Sequence, residues 1–169
     1  MQKLVKWRIA NALGFQAIWF ACIFGQTQWL VIPLLLLAVH FVCVPDKRNE
    51  IKIVGLTVFL GVISDSLLTY VGLFEFNGQQ ILAGFIPVWL IVLWAGLGAT
   101  LLHSFSAVFH RPVLMPLIFS TLAPVSYFAG ERLGAVSIEW PLIPSYLTMA
   151  GVWLVVSLSL RILYQKVRH

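Results

Sequence analysis

Apolar residues in this chain are gathered into six runs, separated by short polar breaks: about 7–25, 29–44, 51–74, 81–103, 113–130 and 144–164. Most of these runs approach the roughly 20 residues that a helix needs to cross the hydrocarbon of a bilayer. The second, from Trp29, is slightly short and carries Pro33 in its first turns. The pattern predicts an all-α, polytopic membrane protein with a single six-helix transmembrane domain over residues 1–169. The tight Gly25-Gln26-Thr27-Gln28 break makes spans one and two an antiparallel hairpin. Pro116 and Pro124 make span five the one expected to kink, because an internal proline removes a backbone hydrogen bond.

Composition agrees with the pattern. At 60% hydrophobic and 10% charged residues, with mean hydropathy +0.95, the chain has too few polar groups to cover a water-soluble domain of 169 residues. The net charge of +5 would point to nucleic acid in a soluble protein. Here it changes meaning, because the cations alternate between loops. Lys3, Lys6, Arg8, Lys47, Arg48, Lys52, Arg111, Arg161, Lys166 and Arg168 fall on one side of six spans and Arg132 on the other. By the positive-inside rule both termini are expected in the cytoplasm, and nucleic acid is not an expected partner. The basic, apolar start resembles a secretory leader. It reads instead as the first span, since no clear small-x-small cleavage site follows and five further spans do.

One residue breaks the pattern. Asp65 lies inside the third run, on a stripe of Thr57, Gly61, Asp65 and Thr69 at four-residue spacing, with Gly72 beyond. A stripe of small and polar residues lets a neighbouring helix approach closely. An Asp at a helix centre costs about 2.5–3.5 kcal/mol to insert, and no Lys or Arg occurs at its depth in any span. The expected state is therefore a neutral carboxylic acid. Nine residues separate Asp65 from the end of its run at Phe74, roughly 13 Å at ~1.5 Å per residue. Counting the same depth along the neighbouring spans reaches Trp89 to Trp94 on the fourth and Ser120 to Pro124 on the fifth. The expected pocket is Thr69, Trp89, Trp94, Ser120, Thr121, Pro124 and Tyr127, with Asp65 as the acting group. The indoles and hydroxyls can donate to a carboxylate, and the Ser120 carbonyl freed by Pro124 can accept from a carboxylic acid.

Other chemistry is thinner. His40, His103 and His110 fall toward the cation-rich side, with Asp46 and Glu50 the nearby carboxylates. Without HxxxH or HxxHH pairing they read as interfacial histidines, and no metal is expected. No GxxxxGK[ST], CxxC or GxSxG motif occurs, so no cofactor is expected either. Cys22 and Cys43 belong to opposite ends of their spans, too far apart for a disulfide.

Several of these residues recur in one known pattern. Asp65 followed by Gly72, Pro87-Val88-Trp89 with Trp94, Ser104, and Pro124-Val125-Ser126-Tyr127-Phe128-Ala129-Gly130 with Gly134 resemble the bacterial inner-membrane family catalogued as domain of unknown function 2878. The likeness covers nearly the whole chain; Ala123-Pro124 stands where that family usually has Gly-Pro. The resemblance implies a multi-pass protein of the bacterial inner membrane. It also implies lipid-related work, since members tend to be encoded near genes for fatty-acid modification and membrane stress. Three readings of function are open, two of which use Asp65 while the third gives the chain no site of its own. The first is an enzymatic or accessory role on a fatty-acyl or isoprenoid molecule, with membrane lipids as partners. The second is a small transporter or transporter subunit, with Asp65 as proton or ligand group. The third is a scaffold that needs a membrane-protein partner or a second copy of the chain.

Overall fold

The computed structural model describes residues 2–76, 80 and 84–168. Among these the architecture is helical, with α1 Gln2–Phe20, α2 Val31–Cys43, α3 Lys47–Tyr70, α4 Val88–Leu101, the single turn α5 Ser106–Phe109, α6 Leu114–Arg132 and α7 Leu142–Arg168. Three stretches are long and apolar enough to cross a membrane: Leu4–Trp29, Lys47–Tyr70 and Leu142–Lys166. Val31–Cys43 and Val88–Leu101 are shorter apolar helices.

The helix ends depart from the expected runs for local reasons. Below Phe20 the chain does not simply turn: Ala21–Gly25 forms a wide π-helical turn and Gln26–Trp29 a 3₁₀ turn. The Trp29 ring packs so close to Gly25 that a Cβ there would overlap it. Helix α3 starts four residues early because the Asp46 side chain accepts from the Asn49 N–H at 3.2 Å, an N-cap. It stops at Tyr70, short of Phe74. Gly72 there has φ +75°, Leu73 N–H reaches the Leu68 carbonyl at 2.9 Å and Gly72 N–H the Thr69 carbonyl at 3.0 Å. This is a Schellman cap, whose left-handed residue favours glycine. The expected fourth run is also shortened. Its start at Ile81 lies outside the described residues, residues 84–87 are not helical, and Pro87, extended at ψ 157°, leads into α4 at Val88. In α6 only Pro124 is interior. Pro116 sits in the first turn, where the N–H has no helical partner to lose.

Helix α6 closes with a second Schellman cap, Gly134 at φ +78° and Ala135 N–H on the Gly130 carbonyl at 2.9 Å. Each cap delivers the chain into a two-residue strand, β1 Phe74–Glu75 and β2 Ser137–Ile138, which pair antiparallel with Phe74 opposite Ile138. Glu131 supports the pairing by accepting from the Ile138 N–H at 3.2 Å. Helices α3 and α6 are thereby tied together at one end.

Helix α3 packs against α4 and α7, α6 against α7, and α1 against α4. Gly98 sets the α3–α4 approach, since a Cβ on it would stand 2.9 Å from the Val54 Cα. The buried core runs along these contacts and includes Ile53, Leu68, Trp89, Leu101, Met149 and Trp153. Much of the outer surface is apolar, with exposed Leu13, Leu35, Phe59, Leu122, Leu147 and Ile162.

Candidate functional site: a buried carboxylate behind an apolar cleft

Asp65 faces the interior on α3 and is only 1% exposed. Its carboxyl group accepts from the Trp94 indole Nε1–H at 2.7 Å and from the Tyr127 hydroxyl, 2.9 Å from each oxygen. Two donors from two other helices therefore converge on one acid. Gly61, one turn before Asp65, makes the approach possible, because a Cβ there would overlap the Trp94 ring. Each donor is itself held by an aromatic neighbour. Trp94 stacks on Trp153 of α7 with centroids 4.8 Å apart, and Tyr127 stacks on Phe74 of β1 at 5.0 Å.

The rest of the expected pocket is distributed differently. Thr69 turns back on its own helix and donates to the Asp65 carbonyl at 2.8 Å. Ser120 and Thr121 do not reach the acid; both donate to the Leu117 carbonyl, at 3.2 and 2.8 Å. Pro124 is buried within α6. Tyr146 of α7 donates to the Thr121 carbonyl at 3.1 Å, beside the backbone that the proline interrupts.

Trp94 and Tyr127 also line a cleft of about 520 Å³, walled by Phe15 and Trp19 of α1, Trp89 and Leu93 of α4, Phe119 and Ser126 of α6, and Trp153 of α7. Its size falls in the ~300–1,000 Å³ range of small-molecule sites. Among the described residues no charged side chain lines it. Asp65 is not among the residues lining the cleft, and it reaches the cleft walls through its two aromatic donors, Trp94 and Tyr127. Trp89 is 2% exposed, and its Nε1–H is the one buried side-chain polar atom without a hydrogen-bond partner among the described residues. A buried N–H left unpaired costs about 1–3 kcal/mol.

A second polar cluster was not expected. His40, Glu50 and His103, from α2, α3 and the segment after α4, converge with donor atoms all within 4.8 Å of one another. These side-chain types can hold a metal ion, so the reading of His40 and His103 as interfacial histidines needs correction. They are internal partners of a buried glutamate, whereas His110 is exposed as expected. Asp46 takes no part in the group, being spent on the α3 cap.

No curated protein and no solved structure matches the chain. The family model described as protein of unknown function (DUF2878) matches residues 8–158, and the chain belongs to that family.

Proposed function

We propose that this is a six-span protein of the bacterial inner membrane, with both termini cytoplasmic, whose cleft binds a fatty-acyl or isoprenoid molecule in an accessory or enzymatic role. The observation that carries this reading is an uncharged aromatic cleft walled in part by Trp89, whose buried Nε1–H has no hydrogen-bond partner among the described residues. An aliphatic chain fills such walls by burial alone, at roughly 25 cal/mol per Å² of apolar surface. A single acceptor on the molecule, such as an ester or ketone oxygen, satisfies the indole. The absence of Lys and Arg from the walls disfavours a phosphate headgroup inside the cleft. Asp65 serves by fixing the Trp94 and Tyr127 rings that form the back wall. Six helices of ten residues or more among the described residues, and the one-sided distribution of Lys and Arg along the sequence, support the topology.

Lipid analysis of protein purified in mild detergent tests the proposal. An acyl or isoprenoid species should co-purify with the wild type, be retained about fivefold to tenfold less by Trp89→Phe through loss of one hydrogen bond of ~1 kcal/mol, and be lost from Ala123→Phe, which fills the cleft. Identical lipid profiles in all three proteins would sink it. Solute uptake into proteoliposomes that depends on Asp65 would replace it with transport.

A further inference from the structure

We infer that His40, Glu50 and His103 form a proton-binding site closed by α1, and not a metal centre. Glu50 is 1% exposed and takes two contacts, His40 Nε2 to Oε1 at 2.8 Å and His103 Nε2 to Oε2 at 3.0 Å. What decides the chemistry is the far side of each ring. His103 Nδ1 faces the Trp7 indole Nε1 at 3.1 Å. An indole N–H can only donate, so Nδ1 carries a lone pair and the ring proton is on Nε2. His40 Nδ1 faces the Asn11 amide nitrogen at 3.4 Å. That amide cannot be turned round: its nitrogen donates to the Ala99 carbonyl at 3.0 Å, while its oxygen accepts from the Ser104 N–H at 3.3 Å and hydroxyl at 2.7 Å. His40 is thereby held in the same Nε2–H form. Glu50 is a carboxylate receiving two N–H donors from neutral imidazoles.

This wiring leaves no lone pair on either Nε2 for a metal ion. A histidine that ligates through Nε2 places its other N–H on an acceptor, and here both outer positions are occupied by donors of α1. The same constraint governs protons. An imidazolium at His103 needs an N–H where the Trp7 N–H points, and one at His40 needs an N–H facing the Asn11 amide. Protonated Glu50 needs an acceptor, yet each oxygen faces an N–H; converting either Nε2 to an acceptor moves its proton to Nδ1 and meets the same α1 donor. Each of these routes for taking up a proton displaces a contact of α1. Among the described cations near the cluster, Lys6, Arg8, Lys47 and Arg48 are exposed on α1 and α3 and Lys52 is half-buried two residues beyond Glu50, while the ion-pair partners of Glu50 are His40 and His103.

Nitrogen-15 NMR of histidine-labelled wild-type protein in nanodiscs tests the assignment, together with metal analysis and hydrogen exchange of the same samples. At pH 7.5 both His40 and His103 should show the neutral Nε2–H tautomer, with no stoichiometric first-row metal. On acidification to pH 5.5, exchange of Trp7–Asn11 amides, corrected for intrinsic rates, should rise about tenfold for each proton taken up per pH unit, while the middle of α7 stays unchanged. A bound metal, an Nδ1–H tautomer at pH 7.5, or proton uptake without loosening of α1 would each overturn it.

Discussion

At the scale of residues, the Asp65 site gives the clearest expectations. Asp65→Leu leaves two buried donors, Trp94 Nε1–H and Tyr127 O–H, with nothing to bond. Its expected cost is about 2–6 kcal/mol, the sum of two unmet donors, visible as a lower melting temperature in detergent. Asp65→Asn keeps one carbonyl for Trp94, and its amide can donate to a rotated Tyr127 hydroxyl, so the loss should be about 1–2 kcal/mol. Equal losses in the two variants would show that volume, and not hydrogen bonding, is what the site requires. Gly61→Ala should behave more like Asp65→Leu than its size implies, because the added methyl displaces the Trp94 ring from the carboxylate. Restoration of stability by a smaller ring, as in Gly61→Ala combined with Trp94→His, would identify that overlap as the cause.

Elements determine which of these residues could be found in advance. Equal depth from the span ends reaches Trp94 on α4 but stops at Ser120 to Pro124 on α6, one turn short of Tyr127, the hydroxyl that donates to Asp65. The count was offset, since α3 ends at Tyr70 and places Asp65 five residues from its helix end, where nine had been expected from Phe74. That shift favours Tyr127 over Ser120, which lies two turns further along α6, roughly 10 Å away at ~1.5 Å per residue. Thr121 has the wrong phase, six residues from Tyr127. The same count at the other end of the spans would have brought His40, Glu50 and His103 together, since each lies near a break on the cation-rich side. No adjacent motif marks them, because their side chains come from three separate segments. Trp153 and Phe74, which brace the two donors, carried no signal in an apolar sequence where aromatics are abundant. The close contact at Gly98 gives a prediction for the element itself. Gly98→Ala must move α4 off the Val54 backbone of α3, with an expected loss of about 1–3 kcal/mol typical of overpacking, measured by thermal melting.

For the whole molecule, class was readable from the uneven distribution of apolar residues, and detailed topology was less so. Helix ends followed local devices: a cap at Asp46, left-handed turns at Gly72 and Gly134, and Pro87 before α4. An apolar count is blind to all of them, because Val71, Leu73 and Phe74 are as hydrophobic as the helix they leave. The two polar centres lie at different levels along α3, Glu50 in its first turn and Asp65 near its last. One helix thus joins a cleft at one end to a proton cluster at the other, with α1 contributing to both through Phe15 and Trp19 above and Trp7 and Asn11 below.

The strand pair offers a covalent handle on this arrangement. Glu75 and Ser137 are direct cross-strand partners, at a separation that antiparallel pairs keep near 4.5–5.5 Å, within disulfide reach. Cysteines at these two positions, in a background with the exposed Cys43 replaced by Ser, should oxidise to a staple closing a loop of more than sixty residues. The expected gain is about 4 kcal/mol, read as a melting shift that reductant reverses. Because α3 and α6 are already joined there, the staple should leave lipid retention unchanged.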